Sequence, residues 1–382
     1  MEAFLVLCFA FLCVFTFSGG AAATARAVVW YVQTDGSDSN GGSSWDDAFA
    51  TIQRAIDSAT DRDEIWVQKG TYFLNSQINV DKTVAIYGGF DGTETEKTQR
   101  NWMTNVTKVD GQDTAYHCFF VTADAFIDGF TITGGNARLA LTNKGGGGIN
   151  VRDCSPTISN CNITVNSAAL GGGICVKASS ATIINCDISK NQARRGGGIY
   201  GTVSFFIITN CTLFDNYASN KGGGMYHWDS SPIITNCTFS KNHAADYGGG
   251  IYSIDSFLTI SNCILWGDLL TIGDELKNGP EISSKGSTYD ITFCNIKWGF
   301  YYADEECISQ DPLFVDEENG DLHLMYGSPC IGAGANDAPG LSEKDKDGKP
   351  RITDGTVDMG AYAFGGKACE ADFVSAKSKG WN

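Results

Sequence analysis

The sequence predicts an all-β chain folded as a right-handed parallel β-helix, because a block of 25 or 26 residues repeats through its middle. Each copy carries an Asn-Cys pair and, about ten residues later, Gly-Gly-Gly followed by an apolar residue. A repeat of this length cannot bury its own apolar face and must stack on its neighbours as a solenoid. The pairs are Asn160-Cys161, Asn185-Cys186, Asn210-Cys211, Asn236-Cys237 and Asn262-Cys263.

The coils are predicted to be β rather than helical, since no copy contains a long amphipathic stretch. In each copy an Ile stands two residues before the Asn, the Cys one residue after it and an apolar residue three after it. Inward positions of one strand share parity, and these do not. The chain therefore bends at the Asn, which tolerates left-handed backbone angles. Three short strands per coil follow, and parallel connections are right-handed.

Further rows of the repeat predict ladders inside the solenoid. A second Asn recurs six residues after the first, where side-chain amides of neighbouring coils can bond to each other. The tri-glycines predict a close turn with positive φ. We expect the repeated cysteines to be buried thiols, and a disulfide between Cys307 and Cys330 outside the ladder. The second Asn of each copy, which forms this second row, is Asn166, Asn191, Asn216 or Asn242.

The N-terminal region divides into an export signal and a cap. Residues 3–17 form a short apolar run followed by small residues, which predicts a signal peptide over residues 1–27. Residues 28–110 are predicted as a cap and first irregular coils, with strands at 64–67, 77–80 and 83–87. A helix before them would cover the open end of the solenoid, with one apolar face formed by Phe49, Ile52, Ala55, Ile56 and Ala59.

The rest of the chain divides where the period changes. Residues 111–266 are predicted as regular coils, and residues 267–310 as irregular coils with an insertion. Residues 311–382 are predicted as a C-terminal coil, a cap for the other end of the solenoid and a tail.

The charge restricts the partners. A formal net charge of −17 argues against nucleic acid and anionic membranes, which need a basic surface. No second apolar span follows the predicted signal, so we expect a mature chain without a membrane span, secreted or at the cell surface.

Both ends of the mature chain resemble exported β-helix proteins of the pectate-lyase-like superfamily, in particular polymorphic outer membrane protein repeat and choice-of-anchor Q proteins. The resemblance implies the β-helix fold and an exported location, and it implies no activity. It departs at Ala363, where the family often has Glu. The matching stretches include Tyr31-Val32, Asp35-Gly36-Ser37-Asp38, Tyr87-Gly88-Gly89-Phe90, Asp311-Pro312-Leu313-Phe314, Gly327-Ser328-Pro329-Cys330-Ile331 and Val357-Asp358-Met359-Gly360-Ala361-Tyr362.

Aligning the coils after each tri-glycine brings aromatic and basic residues together. Aromatic rings beside polar groups suit sugars, which stack apolar faces on rings and bond through hydroxyls. The alternative is a tyrosine ladder that only stabilises the sheet. The candidate ligand-binding residues are Arg195, Tyr200, Lys221, Tyr226, His227, Trp228 and Tyr252.

Asp229 and Asp255 are the candidate catalytic residues. Neighbouring coils would hold their backbones roughly 5 Å apart, a spacing at which two carboxylates share a proton, bind a cation or cleave a glycoside as acid and nucleophile. His227, Arg195 or Lys221 could supply the base of a lyase. A pair of solvated loop carboxylates is the alternative.

The sequence predicts no cofactor and no metal site. A group of aspartates around Gly348 raises calcium as the one alternative, but the spacing lacks the bidentate Glu of an EF-hand loop. A turn is the preferred interpretation of Asp345, Asp347, Asp354 and Asp358.

Three functional hypotheses follow. The leading one is an adhesin-like β-helix that binds extracellular polysaccharide or a cell-surface component. The second is a polysaccharide lyase or glycoside hydrolase acting on acidic polysaccharide, and the third is a purely structural surface protein.

Overall fold

Three long parallel sheets form the sides of a solenoid in the computed structural model. The structure describes residues 27–364 except 139, 273–274, 279, 299, 301–302 and 354, and it leaves the side chains of residues 272 and 275–278 undescribed. Asp354 and the predicted signal peptide, apart from Ala27, lie outside the described residues.

The three sheets have ten, nine and eight strands, and successive strands of a sheet come from successive coils. The predicted parallel β-helix is therefore confirmed. Sheet 1 contains Val29–Val32, Glu64–Gln68, Ala85–Phe90, Phe126–Asp128, Thr157–Ser159, Thr182–Ile184, Ile207–Thr209, Ile233–Thr235, Phe257–Ser261 and Thr288–Thr292. Sheet 2 contains Gly70–Phe73, Thr107–Asp110, Phe130–Thr133, Asn162–Thr164, Asp187–Ser189, Thr212–Phe214, Thr238–Ser240, Ile264–Trp266 and Asn295–Ile296. Sheet 3 contains Ile78–Val80, Phe119–Val121, Ile149–Arg152, Ile174–Lys177, Ile199–Thr202, Met225–Trp228, Ile251–Ile254 and Ile282–Lys285.

Two smaller sheets were not predicted. A fourth sheet of five strands follows the second Asn row, and its last strand is antiparallel, so the insertion after Trp266 folds as a hairpin. A two-stranded antiparallel sheet lies near the C terminus. The fourth sheet contains Gln192–Arg195, Tyr217–Lys221, His243–Ala244, Leu269–Ile272 and Glu275–Asn278, and the small one Phe314–Asp316 and Asp321–Leu324.

The predicted N-terminal helix is present as Ile52–Ser58. The Thr51 hydroxyl accepts a hydrogen bond from the Arg54 amide and caps its first turn. Its apolar face, Ile52, Ala55 and Ile56, is buried against the first strands. Short 3₁₀ helices are Trp45–Asp47, Lys97–Gln99 and Glu317–Asn319.

Every strand of the three long sheets contributes inward residues to one continuous core. In sheet 3, for example, Ile174, Ile199 and Met225 lie in register on successive coils and are fully buried. The inward row of sheet 1 contains Ile158, Ile183, Ile208, Ile234 and Ile260, all fully buried. Stacked identical rows of this kind stabilise each coil through its neighbours.

The corners between the sheets share one construction: a residue with left-handed backbone angles, followed by a side chain that bonds to the adjacent coil. The corner between sheets 1 and 2, which we name the asparagine corner, has the predicted bend, with φ between 50° and 55°. Its bent residues are Asn160, Asn185, Asn210, Asn236 and Asn262.

The cysteines after these asparagines form a ladder of free, buried thiols, as predicted. They also bond to the backbone. The amide of Cys186 donates to Cys211 Sγ at 3.4 Å, and Cys211 Sγ contacts the Thr209 carbonyl at 3.2 Å. The predicted Cys307–Cys330 disulfide is wrong: Cys307 Sγ accepts from the Cys294 amide as the last rung of this ladder, while Cys330 lies beside Asn295.

The second asparagine row forms the predicted buried ladder. Each amide nitrogen donates to the oxygen of the next coil, for instance Asn191 Nδ2 to Asn216 Oδ1 at 3.1 Å. The ladder ends at Asp268, which takes the Asn position in the next coil and accepts from Asn242. Its neighbour Glu281 is also buried and accepts from the Gly267 and Asp268 amides.

The region from Asp311 to Phe364 lies along the side of the solenoid, where the sequence led us to expect a cap over its end. Its Arg351 is buried and donates to Asn210 Oδ1 and to the Gly360 and Ala361 carbonyls. The C-terminal region covers the asparagine corner of the last coils. There it provides hydrogen-bond acceptors for the corner amides and apolar contacts for outer residues such as Phe214. The end of the main core is instead packed by Phe300, Ala303 and Cys307.

Candidate functional site

A groove of about 450 Å³ runs along the corner between sheets 3 and 1. It is lined by the corner residues of four successive coils. We name this corner the serine corner, since each of these turns has a buried Ser at its centre. The lining residues are Ala178, Ser179, Ser180, Val203, Ser204, Phe205, Asp229, Ser230, Ser231, Asp255, Ser256 and Phe257.

Hydrogen bonds between coils hold the serine corner. The amide of Ser204 donates to Ser230 Oγ at 3.2 Å, and Ser230 Oγ donates to the Trp228 carbonyl at 2.8 Å. The same pattern joins Ser230 to Ser256. The floor of the groove is thus satisfied by its own bonds, and the side chains on either side of each Ser are left to face outward.

Asp229 and Asp255 occupy the left-handed position of the serine corner, with φ of 48° and 46°. They lie on adjacent coils, and both are exposed in the same groove. The Asp255 carboxylate extends over the next coil and lies close to Gly286, which has a φ of 70°. Ala178 and Val203 take the same position in the two preceding coils. The corner therefore requires left-handed backbone angles and does not require a carboxylate.

Exposed aromatic rings flank the carboxylates. Phe205 is 54% exposed and Phe257 46% exposed, two coils apart on one side of the groove. Trp228, 47% exposed, immediately precedes Asp229. Two coils separate the phenylalanines by roughly 10 Å, a distance that a short oligosaccharide spans. Rings beside carboxylates and hydroxyls are the usual surroundings of a bound sugar.

The tyrosine row is in the predicted register, but it is covered. Tyr200, Tyr226 and Tyr252 are each at most 5% exposed, and their rings stack at centroid distances of 5.2 and 5.6 Å. They pack with Leu170 and Cys175 in a small cluster of their own. The row thus stabilises sheet 3, and burial raises the pKa of Tyr200 to about 12.

The basic candidates cover these tyrosines. The Arg195 guanidinium lies 5.5 Å from the Tyr226 ring centre, and Lys221 Nζ lies 4.7 Å from that of Tyr252 and 3.3 Å from its hydroxyl. Neither lines the groove at the serine corner. The structure therefore separates Arg195 and Lys221 from the Asp229 and Asp255 pair.

His227 faces the interior. It is fully buried in the strand Met225–Trp228, and burial lowers its pKa to about 3. Neither ring nitrogen has a hydrogen-bond partner within the described part of the chain. His227 is thus out of reach of a ligand on the surface, and of the predicted site residues only Trp228, Asp229 and Asp255 lie together and exposed.

The aspartates near the C terminus organise turns. Asp345 accepts from the Lys349 and Ala363 amides, and Asp358 from the Gly332 and Phe364 amides. Within residues 27–364, as far as they are described, no cluster of three or more His, Cys, Asp or Glu could hold a metal ion. None of the described helices has the length and apolar character needed to cross a membrane.

The sequence reasoning missed Phe205 and Phe257. Each follows its corner Ser directly, so counting from the serine row identifies them once that row is recognised. The serine row escaped notice because its first member is Cys154.

Comparisons with known proteins agree with this architecture. A family model described as "Right handed beta helix region" matches residues 98–296, that is 199 of 382 residues. No curated protein matches the chain in sequence.

Among solved structures, the chain is similar to pectate lyase Pel9A, with a TM-score of 0.51 and 15% identity over 89% of this chain and 97% of that one. It also matches the pectin methylesterase from Aspergillus niger (TM-score 0.38, 14% identity, 70% of this chain and 87% of that one) and a rhamnogalacturonan lyase (0.33, 12%, 91% and 98%). At these identities the likeness concerns the fold. The chain is a member of the right-handed β-helix family.

Proposed function

We propose that this chain binds polysaccharide outside the cytoplasm, in the groove at the serine corner. The observation that carries the proposal is the pair of exposed rings of Phe205 and Phe257, which line this groove together with the carboxylates of Asp229 and Asp255. The exposed Trp228 directly precedes Asp229. Exposed apolar rings that line one groove mark an interaction site more often than rings scattered singly over a surface. The apolar run at residues 3–17 and the resemblance to polymorphic outer membrane protein repeat proteins support an exported location.

The groove favours a neutral glycan over an acidic one. Asp229 and Asp255 would repel uronate groups, whereas carboxylates accept hydrogen bonds from sugar hydroxyls. The basic residues first considered for this site, Arg195 and Lys221, lie over the tyrosine row instead. We therefore expect the acidic polysaccharides named in the sequence-based hypothesis to bind more weakly than neutral ones.

The test is binding of the full chain to a panel of neutral and acidic polysaccharides, followed by titration with oligosaccharides of the best one. Phe257→Ala should weaken binding about tenfold, the loss expected for one stacked ring. Phe73→Ala removes a more exposed ring, 64% against 46% for Phe257, from the outside of sheet 2 and should change nothing. Binding to no polysaccharide, or equal losses in both variants, would refute the proposal.

A glycoside hydrolase is the second candidate, since Asp229 and Asp255 lie on adjacent coils of one groove. Against it, glycosidase acids are normally kept protonated by burial, and both carboxylates are exposed. Release of reducing ends from the bound polysaccharide, lost in Asp229→Asn and in Asp255→Asn, would establish the enzyme. Release that survives both substitutions would exclude this pair. A lyase has the further difficulty that His227 is buried away from the groove.

A further inference from the structure

The asparagine corner uses its side-chain amides in a regular way, because each amide nitrogen carries two N–H groups. Asn210 Nδ2 donates to Asn185 Oδ1 at 3.1 Å and to the Lys344 main-chain carbonyl at 2.7 Å. Asn262 Nδ2 likewise donates to Asn236 Oδ1 at 3.4 Å and to the Ala335 carbonyl at 2.9 Å. One N–H therefore donates to the asparagine of the preceding coil, and the other points outward and donates to a main-chain carbonyl.

The coil of Asn236, between those of Asn210 and Asn262, also binds main-chain carbonyls of the C-terminal region. Asn236 Nδ2 donates to the Asp358 and Gly360 carbonyls at 2.9 and 3.3 Å. Asn262 Oδ1 in addition accepts from the Ala335 amide at 2.7 Å. Three successive coils thus bind peptide groups of the C-terminal region through the same row of amides.

The coil before these three has the same side-chain amide, that of Asn185, without a main-chain partner. Asn185 Nδ2 donates along the corner to Asn160 Oδ1 at 3.3 Å. Within the described part of the chain, no residue accepts its second N–H. At this point the corner opens into a pocket of about 350 Å³ between residues 102–106 and residues 346–347.

The charged groups of this pocket are already paired. Lys346 Nζ bonds to Asp187 at 2.5 Å, and Asp347 accepts from Lys349 at 3.0 Å and lies 3.0 Å from His323 Nε2. On the opposite wall, Met103 is 62% exposed and Val106 is also exposed. The groups left for recognition are therefore the amide of Asn185, the exposed side chain of Asn162 and an apolar wall.

We infer that this pocket, which we name the Asn185 pocket, binds an extended peptide of a partner protein. A main-chain carbonyl of the peptide would accept from Asn185, as Lys344 and Ala335 do from the later coils, and an apolar side chain would pack on Met103 and Val106. The net charge of −17 favours a peptide with basic flanking residues. Repetition of the same main-chain contact on three coils favours a peptide over a glycan here.

The experiment is selection of a random-peptide phage library on the full chain, followed by calorimetric titration of a synthetic copy of the enriched peptide. Asn185→Gly retains the left-handed backbone, at φ 54°, and removes the donor. Asn162→Trp leaves the corner intact and fills the pocket from an exposed position. Asn185→Gly should weaken binding about tenfold, the loss expected for one hydrogen bond in a closed contact. Asn162→Trp should weaken it about tenfold or more, because the indole occupies the space of the peptide.

Thr164→Trp is the matched control. It lies two residues further on the same strand, outside the pocket, and should change the affinity less than about twofold. Thermal unfolding of each variant separates lost binding from lost folding. The inference would be overturned if no peptide is enriched, or if Asn185→Gly and Asn162→Trp bind the peptide as tightly as the wild type does. Binding of oligosaccharides in this pocket would also overturn it. Phe257→Ala, at the serine corner, should leave peptide binding unchanged, so the two sites fail independently.

Discussion

The serine corner and the asparagine corner have the same backbone and opposite surroundings. Both place a residue at positive φ and follow it with a side chain that bonds to the adjacent coil. At the asparagine corner the bent residue is Asn in five successive coils, and the C-terminal region covers three of them. At the serine corner it varies and faces solvent, as Asp153, Ala178, Val203, Asp229 and Asp255.

The comparison shows what the fold requires. A corner requires left-handed angles and one bonding side chain, and both can be provided by several residue types. Where further chain packs on the corner, the amide of Asn has a specific partner and cannot be replaced freely. At the serine corner, where no such region packs, the residue type varies and can serve a ligand, and the proposed polysaccharide site lies there.

The largest expected effect is on the covered corner. Arg351→Ala removes three hydrogen bonds and leaves the nearby Asp345 and Asp358 carboxylates without their buried counter-charge. The free energy of unfolding should fall by about 3–5 kcal/mol, measured by urea denaturation. Lys285→Ala, which removes an exposed cation from sheet 3, is the control and should cost less than about 0.5 kcal/mol. Equal losses would show that the C-terminal region adds nothing to this corner.

The second effect concerns the end of the buried asparagine ladder. Burial raises the pKa of Asp268 to about 7. Burial and the neighbouring Asp268 carboxylate raise the pKa of Glu281 well above its ordinary value. The unfolded chain releases these protons near pH 4, and the folded chain retains them toward pH 7. The unfolded state therefore binds fewer protons in this range, and the free energy of unfolding should fall as the pH rises from about 4 to about 7.

Asp268→Asn completes the ladder with a neutral amide. It should raise the free energy of unfolding at pH 7 by about 1–3 kcal/mol and flatten this part of the pH dependence, both measured by urea denaturation across pH. Asp229→Asn, an exposed carboxylate at the serine corner, is the matched control and should leave the profile as it is. An unchanged slope in Asp268→Asn would mean that the buried pair is ionised in the folded chain.

A smaller effect tests whether the two corners are interchangeable. Cys211→Ser retains an acceptor for the Cys186 amide, as Ser230 does for Ser204, and should cost about 1 kcal/mol for burying a hydroxyl. Cys211→Val retains the volume but leaves that amide without an acceptor, and should cost about 1–3 kcal/mol. Thermal unfolding of both variants measures the difference. A more stable Val variant would show that the thiols act only as apolar filler.

The sequence allowed prediction of those features that recur in every coil. The Asn bend, the cysteine ladder and the second asparagine ladder each depend on contacts between identical positions, so the period alone reveals them. The packing of Arg351 on Asn210 could not be predicted, because these residues are 141 positions apart in the sequence. The cover of Arg195 over Tyr226 depends on how side chains of adjacent coils orient, which the period does not reveal. Asp268 stands six residues after Asn262, at the spacing of the second Asn row, and was missed because that position holds Asp instead of Asn.

The central claim is that polysaccharide binding belongs to the serine corner, and hydrogen exchange of the chain with and without the best-binding oligosaccharide tests it most directly. The amides of residues 203–206, 229–232 and 255–258 should exchange more slowly in the complex, while residues 185–187 and 210–212 at the asparagine corner should exchange at the same rate. Slower exchange at the asparagine corner, with the serine corner unchanged, would contradict the claim.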